Sequence, residues 1–206
     1  MTLAGTAFVG DIHGNIAALR GILELLDQID GIDRIVFLGD YINKGKNSVA
    51  VVQTLLEKST GERITALRGN HETEMLKALE TGDLASFLKM GGASTIRSYV
   101  KRDVGPDVIS DFRARVPTEH INFLRSMPQV YETQYVVASH YPAATNKTRF
   151  QISAHIPVGN LPKVGVNFAH IDTGCGSPEG RLTAFAWPGL DYVQVDSDGH
   201  PIGSDT

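Results

Sequence analysis

The chain has 206 residues, of which 42% are hydrophobic and 20% charged, and a formal net charge of -4. That length suits one domain of ordinary size, with or without an insertion, and the mild acidity speaks against a general nucleic-acid binder, which needs a basic face. A single cysteine, Cys175, excludes an internal disulfide framework and suits a reducing compartment, and no run approaches the roughly 18 apolar residues of a membrane span.

The N-terminal "MTLAGTAFVGDIHG" lacks a basic segment and reaches Asp11 too early for an apolar leader core, so the expectation is a cytoplasmic protein without membrane contact. "TAFVG" reads as a buried strand. "NIAALRGILELLDQI" follows with apolar residues at Ile16, Leu19, Leu23, Leu26 and Ile29, close to the helical period. "DRIVFLG" is a second strand, "SVAVVQTLLEK" a second helix and "RITALRG" a third strand, giving βαβαβ. Such units pack parallel sheets with right-handed crossovers, and their ligands bind beyond the carboxyl ends of the strands. Residues from 73 to about 128 change character, with helical pieces such as "EMLKAL" and "LASFLK" broken by "MGGAS". "QYVVAS", "FQISA", "NFAHI", "RLTAFAW" and "DYVQVD" then read as strands of a second sheet, and the tail "SDGHPIGSDT" reads as loose.

The strand ends carry the chemistry. "GDIHGN" ends the first strand with Asp11 and His13, "GDYINKG" ends the second with Asp40, and "GNHE" ends the third with Asn70 and His71. Residues two apart in extended chain point the same way, so Asp11 and His13 can grip one ion, and the neighbouring glycines allow sharp turns. "ASHYP" and "SAHIP" add His140 and His155. Taken singly, each acid reads as a cap or turn residue and each histidine as a hydrogen-bonded structural group. Gathered together they have no packing rationale, because clustered carboxylates and imidazoles are unfavourable without a cation. Mixed oxygen and imidazole donors suit manganese, iron or zinc better than calcium, and Asp40 is placed to bridge two ions.

The ordered set "GDIHGN … GDYINKG … GNHE", His140, "AHIPV" and "IDTGCG … GRLTAFAWPG" resembles the calcineurin-like metallophosphoesterases. Within them it is similar to the bacterial phosphoprotein phosphatase branch, which includes lambda-type protein phosphatases and symmetrical diadenosine tetraphosphate hydrolases. The resemblance implies an α/β fold, a β-sandwich of two mixed sheets flanked by helices, as one domain over 1–206 with a helical cap insertion at about 73–128. It implies two divalent metal ions, manganese first with iron or zinc as alternatives. Asp11, His13 and Asp40 would hold one, and Asp40, Asn70, His140 and His155 the other. The implied reaction is hydrolysis of phosphomonoesters, of protein or small-molecule origin, with a bridging hydroxide attacking phosphorus in line. His71 would protonate the leaving oxygen beside Asn43, and Lys44 would neutralise phosphoryl charge.

This sequence departs from the family pattern where Asp-Arg-Gly is usual, since Asn43 and Lys44 precede Gly45. Lysine is a point charge where arginine grips two oxygens, and asparagine stabilises a charged imidazole less well than aspartate. The segment between His140 and His155 is short, and Arg149, its only arginine, is assigned to substrate binding with a solvated surface charge as the alternative. Alternative functions are diadenosine polyphosphate hydrolysis, a catalytically impaired phosphate-ligand-binding relative, and, last, a cysteine-dependent phosphatase. The last would use Cys175 and Arg181 in "CGSPEGR", where Pro178 lacks an N–H and Glu179 repels an anion. His170 is a fallback ligand, and His120 and His200 read as surface residues. The oligomeric state is not legible.

Overall fold

The computed structural model describes residues 5–101, 105–142 and 148–203. The expected βαβαβ start is β1 (Gly5–Val9), α1 (Ile16–Asp27), β2 (Ile32–Phe37), α2 (Ser48–Lys58) and β3 (Ile64–Ala66). The three strands pair in parallel with Val9, Phe37 and Ala66 in one row, so the turns that follow them leave the sheet side by side. Each strand is apolar throughout because both faces are covered. Phe8, Val36 and Leu38 face a second sheet, while Ala7, Val9, Ile35 and Phe37 face the helices. Helix α1 starts where Asn15 accepts the Ala18 N–H at 3.0 Å, and it buries Leu19, Ile22, Leu23 and Leu26 at the expected spacing.

Five helices follow: α3 (Asn70–Thr81), α4 (Ala85–Lys89), α5 (Gly92–Val100), α6 (Val108–Arg115) and α7 (Thr118–Ser126). Their buried Phe87, Ile96, Tyr99, Phe112 and Leu124 belong to the same apolar core as Val51 and Leu55 of α2. His120 of α7, read as a surface residue, is buried there instead. Its Nδ1 meets the Tyr99 hydroxyl at 2.9 Å and its Nε2 the Gln53 side-chain oxygen at 2.7 Å, which satisfies a polar ring inside a helical interface.

The remaining strands are β4 (Val130–Glu132), β5 (Val136–Ser139), β6 (Phe150–Ser153), β7 (Lys163–Val164), β8 (Phe168–His170), β9 (Leu182–Trp187), β10 (Tyr192–Val195) and β11 (Pro201–Ile202). Two mixed sheets result, ordered β11-β10-β9-β1-β2-β3 and β4-β5-β6-β8-β7. "RLTAFAW" and "DYVQVD" thus extend the first sheet rather than the second. β9 runs antiparallel beside β1, sending Ala184 toward the helices and Phe185 into the space between the sheets. Residues 197–203 of the tail are not loose either, because β11 pairs with β10 and Ser197 O accepts the Asn15 side-chain N–H at 2.9 Å, and 204–206 lie outside the described residues. In the second sheet β5, β6 and β8 are parallel, with Ser139, Ser153 and His170 in one row at their carboxyl ends. Among the described residues no helix is long and apolar enough to cross a membrane.

Phe8 is fully buried between the sheets, against Val136, Phe150, Ile152 and Phe185. Phe8→Ala is expected to destabilise the fold by about 3–5 kcal/mol through lost burial and an unfilled cavity, read as a lower urea midpoint at unchanged slope.

Candidate metal centre

The turns after β1, β2 and β3 meet those after β5 and β6 at one end of the sandwich. The first two are stitched together by backbone: the N–H groups of Ile12 and His13 donate to Asp40 O at 3.1 and 2.9 Å, and Gly14 N donates to Tyr41 O at 2.7 Å. These bonds hold the chain in conformations that side chains rarely adopt. Seven described non-glycine residues have positive φ, and five of them, His13, Asp40, Asn43, Lys44 and His155, lie in these turns. Gly69 has to be glycine, since a Cβ there would collide with the Asp40 carboxylate.

Asp40 is fixed from below by Glu72, whose fully buried carboxylate accepts the N–H groups of Asp40 (2.9 Å), Tyr41 (2.8 Å) and Gly69 (3.0 Å). The Asp40 Oδ1 accepts the His71 N–H at 3.1 Å at the start of α3. Two clusters of candidate ligand atoms share Asp40, one with His13 and His71, the other with His140 and His155, and within each cluster the atoms lie within 4.8 Å of one another. Asn70 Oδ1 approaches His140 Nε2 at 2.7 Å, and Asp11 Oδ2 stands 3.7 Å from His13 Nε2.

The ring orientations decide what such a cluster can hold. His13 Nδ1 is 3.1 Å from Ile42 O, and His140 Nδ1 is 3.1 Å from Leu38 O, so each ring donates that N–H to backbone carbonyl. Each Nε2 then turns a lone pair inward. For His140 that lone pair faces Asn70 Oδ1 and, at 3.3 Å, Asp40 Oδ2, which are themselves acceptors. Either a proton on His140 Nε2 or a cation among these atoms satisfies them, and an outer N–H anchored on a carbonyl is how metal-bound imidazoles are oriented. The electrostatics agree. Burial, aided by the Asp40 charge, pushes the Asp11 carboxyl well above its ordinary range and lifts Glu72 to about 7. Burial opposes ionisation of Asp40, but the imidazoles around it, His140 first and then His71 and His13, together outweigh it and hold Asp40 at about 2, and although burial lowers His140, its hydrogen bond to Asp40 and the Asp40 charge raise it overall. Burial lowers His13 to about 3 against the pull of Asp40. Imidazoles and carboxylates gathered in this way are a donor set that fits divalent cations.

All six expected ligands, Asp11, His13, Asp40, Asn70, His140 and His155, therefore come together. Asn43 and His71 also meet. Thr95 of α5 donates its hydroxyl to Asn43 Oδ1 at 2.7 Å, which turns the amide so that Nδ2 donates to His71 Nδ1, also at 2.7 Å. Lys44 Nζ lies 2.7 Å from His13 Nε2. Arg149 does not reach the site. It precedes β6, at the end of that strand opposite His155, and its guanidinium pairs with Glu132 at 2.9 Å and contacts Thr133 O. The cysteine alternative fails on burial, which pushes the Cys175 thiol up to about 12, while Arg181 contacts the Gln194 side-chain oxygen at 3.2 Å. His170 bonds Ser153 Oγ at 2.7 Å, outside both clusters. The sequence reading missed Thr95, whose role is visible only once α5 is packed on α2. It also missed Glu72, for which the last letter of "GNHE" was the available signal.

Residues 6–159 match the family model of the calcineurin-like phosphoesterases. The chain is 38% identical over 84 residues to serine/threonine-protein phosphatase 2 of Escherichia coli, covering 41% of this chain and 37% of that protein. It is 30% identical over 125 residues to the symmetrical bis(5'-nucleosyl)-tetraphosphatase of Glaesserella parasuis, covering 61% and 39%. The match thus spans well under half the length of these curated relatives. Among solved structures, an inferred diadenosine tetraphosphatase superposes with a TM-score of 0.68 at 19% identity, covering 98% of this chain and 96% of that one. The metallophosphoesterase from Sphaerobacter thermophilus gives 0.58 at 15% identity, covering 97% and 88%. At these identities the likeness is one of fold.

Glu72→Ala leaves three buried N–H donors unmet, at about 1–3 kcal/mol each. The expected result is a loss of roughly 3 kcal/mol or more in denaturant unfolding, together with weaker manganese binding by calorimetry.

Proposed function

We propose, since the chain belongs to the calcineurin-like phosphoesterase family, that it is a hydrolase of phosphomonoesters, protein-borne or small, working with two divalent cations. The observation that carries this reading is a buried carboxylate, Asp40, flanked by His13 and His71 on one side and His140 and His155 on the other. In the reading, Asp11, His13 and Asp40 hold one ion and Asp40, Asn70, His140 and His155 the other, with manganese the first choice and iron or zinc the alternatives. When bound, such a pair supplies an activated water and neutralises phosphoryl oxygens. Cys175, buried and unbridged, accords with the cytoplasmic setting included in the reading.

The chain's own residues do the rest. Because Asn43 Nδ2 occupies the lone pair on His71 Nδ1, the ring proton sits on Nε2, the atom that faces Asp40 at 3.6 Å. His71 is thereby a neutral imidazole with its Nε2–H directed into the site, placed to hydrogen-bond a leaving oxygen, while full transfer of a proton takes the imidazolium form, whose charge Asn43 does not support. Lys44 brings a positive charge beside His13, and its flexible stem suits a phosphoryl oxygen that an arginine would otherwise hold with two bonds. One observation favours dinucleoside polyphosphates as a second substrate class. The Tyr141 ring is half exposed and stands 4.3 Å from the His155 ring, offering a face on which a base can stack. A binding protein without turnover accounts less well for a complete donor set.

Hydrolysis of p-nitrophenyl phosphate is expected to vanish on chelation, return with manganese and survive iodoacetamide. Asp40→Asn should lower it by about 10³-fold, the scale of losing several kcal/mol of cation stabilisation, with far-UV dichroism unchanged. Activity that persists without metal, or metal binding without turnover, would end the proposal. Asn43→Asp converts a donor to His71 into an acceptor that supports the charged ring. It is expected to raise kcat for alkyl phosphates relative to aryl phosphates, about tenfold if the charge-assisted bond contributes 1.5 kcal/mol; equal changes for both classes would refute that role for Asn43.

A further inference from the structure

A cleft of about 450 Å³ adjoins the metal centre, walled by Asn70 and His140 on that side and by Arg68, Thr73, Gln129 and Tyr141 elsewhere. Arg68 lies in the turn between β3 and α3, where its backbone N–H donates to Pro128 O at 2.9 Å. Its side chain is poorly employed. Nη1 reaches only Arg125 O, at 3.5 Å, and the buried Nε has no partner among the described residues. Glu74, the acid in the same wall, makes its ion-pair contact with Lys77 at 3.9 Å rather than with Arg68. Guanidinium keeps its charge in any protein and offers donors in a planar fork that matches a carboxylate or phosphate. The first turn of α3, Asn70 to Thr73, opens on the same cleft, and a helix start favours negative charge.

We infer that this cleft is a subsite for a second oxyanion, carboxylate or phosphate, carried on the leaving-group side of the substrate and gripped by Arg68. The inference deepens the proposed hydrolysis and rests on it for the place of the scissile phosphate. It names the substrate class as phosphoesters whose alcohol portion is itself anionic. Arg68 and Asn70 line the same cleft, so a group bound to the guanidinium there lies beside the metal centre. Gln129 brings a neutral amide to the same wall, while the Thr73 hydroxyl proton is taken by Gly69 O at 2.9 Å.

The test compares kcat/KM for phenyl phosphate with those for its 3- and 4-carboxy and 3- and 4-phosphono derivatives, using manganese-loaded protein. At least one doubly anionic ester is expected to be favoured by about tenfold, the worth of one charge-assisted pair, and the carboxy and phosphono arms identify which anion fits. In Arg68→Gln the ratio should fall to near one, and Arg68→Lys should keep part of it. Arg68 also has a structural contact, to the end of α7 through Arg125 O. Were that its whole role, Arg68→Gln would lower Tm and slow all esters alike with the ratio unmoved, and the subsite would be refuted. A wild-type protein without any such preference refutes it too. If no ester is hydrolysed, the calorimetric affinity ratio of phenylphosphonate to its carboxy derivatives reads the same preference, so loss of the hydrolase reading and loss of the subsite are separate results.

Discussion

The structure depends on a carboxylate kept ionised while buried. Asp40 is almost wholly excluded from water, sits in a left-handed backbone conformation, and shares its pocket with a second buried acid, Asp11. Nothing in packing rewards that arrangement, because each acid raises the cost of ionising the other. It persists because the surroundings over-determine it: Glu72 holds the Asp40 backbone, His71 N–H holds one oxygen, and His140 approaches the other. The fold thus concentrates charge at one point and compensates it with the N–H and imidazole groups around Asp40.

The sandwich explains how such strain is tolerated. Five strands end at the same level, and their side chains up to that level form two continuous apolar cores, one between the sheets and one under the helices. The cores anchor the strands, and the turns beyond them inherit fixed starting points only a few residues long. Backbone bonds between turns, such as those from Ile12, His13 and Gly14 to Asp40 and Tyr41, then lock geometries that a longer loop would relax. Positive φ at His13, Asp40 and His155 is the local consequence, and it re-aims each side chain toward the shared centre.

Most of this was legible in the sequence for a physical reason. A run such as "TAFVGDIHG" states both its burial and where the burial stops, and the residues that follow a buried parallel strand can lie only at the sheet's carboxyl edge. Hence Asp11, His13, Asp40, Asn70, His140 and His155 could be gathered before any coordinates. Partners across the fold were not legible. "RLTAFAW" announces a strand but not which sheet accepts it, since an all-buried strand fits either. Arg149 carries a charge close in sequence to two ligands, yet only the direction of β6 shows that it stands at the other end. His120 and Thr95 look like ordinary polar helix residues until the helices pack and give them buried partners. The pairing of "SDGHPIG" with β10 involves so few residues that no periodicity could report it.

Thr95 links the helices after β3 to the candidate site. The hydroxyl of Thr95 has a single proton, and it goes to Asn43 Oδ1, while Thr95 Oγ1 accepts the Asn43 backbone N–H at 2.9 Å and lies 2.9 Å from Ser48 Oγ. That set of bonds fixes which way the Asn43 amide faces and therefore which nitrogen of His71 carries its proton. An aspartate at position 43 could not accept the Thr95 proton and still present the same donor to His71, so the residue at 43 and the residue at 95 specify one tautomer together. Helix α5 is held in place by Ile96, Tyr99 and Val100 in the main core, which makes the protonation pattern of the site a product of helix packing far from it. Asn43 is thus held by a hydrogen-bond network that runs from the sheet edge into helix α5, and the neutral ring it selects is the one that buried surroundings already favour for His71.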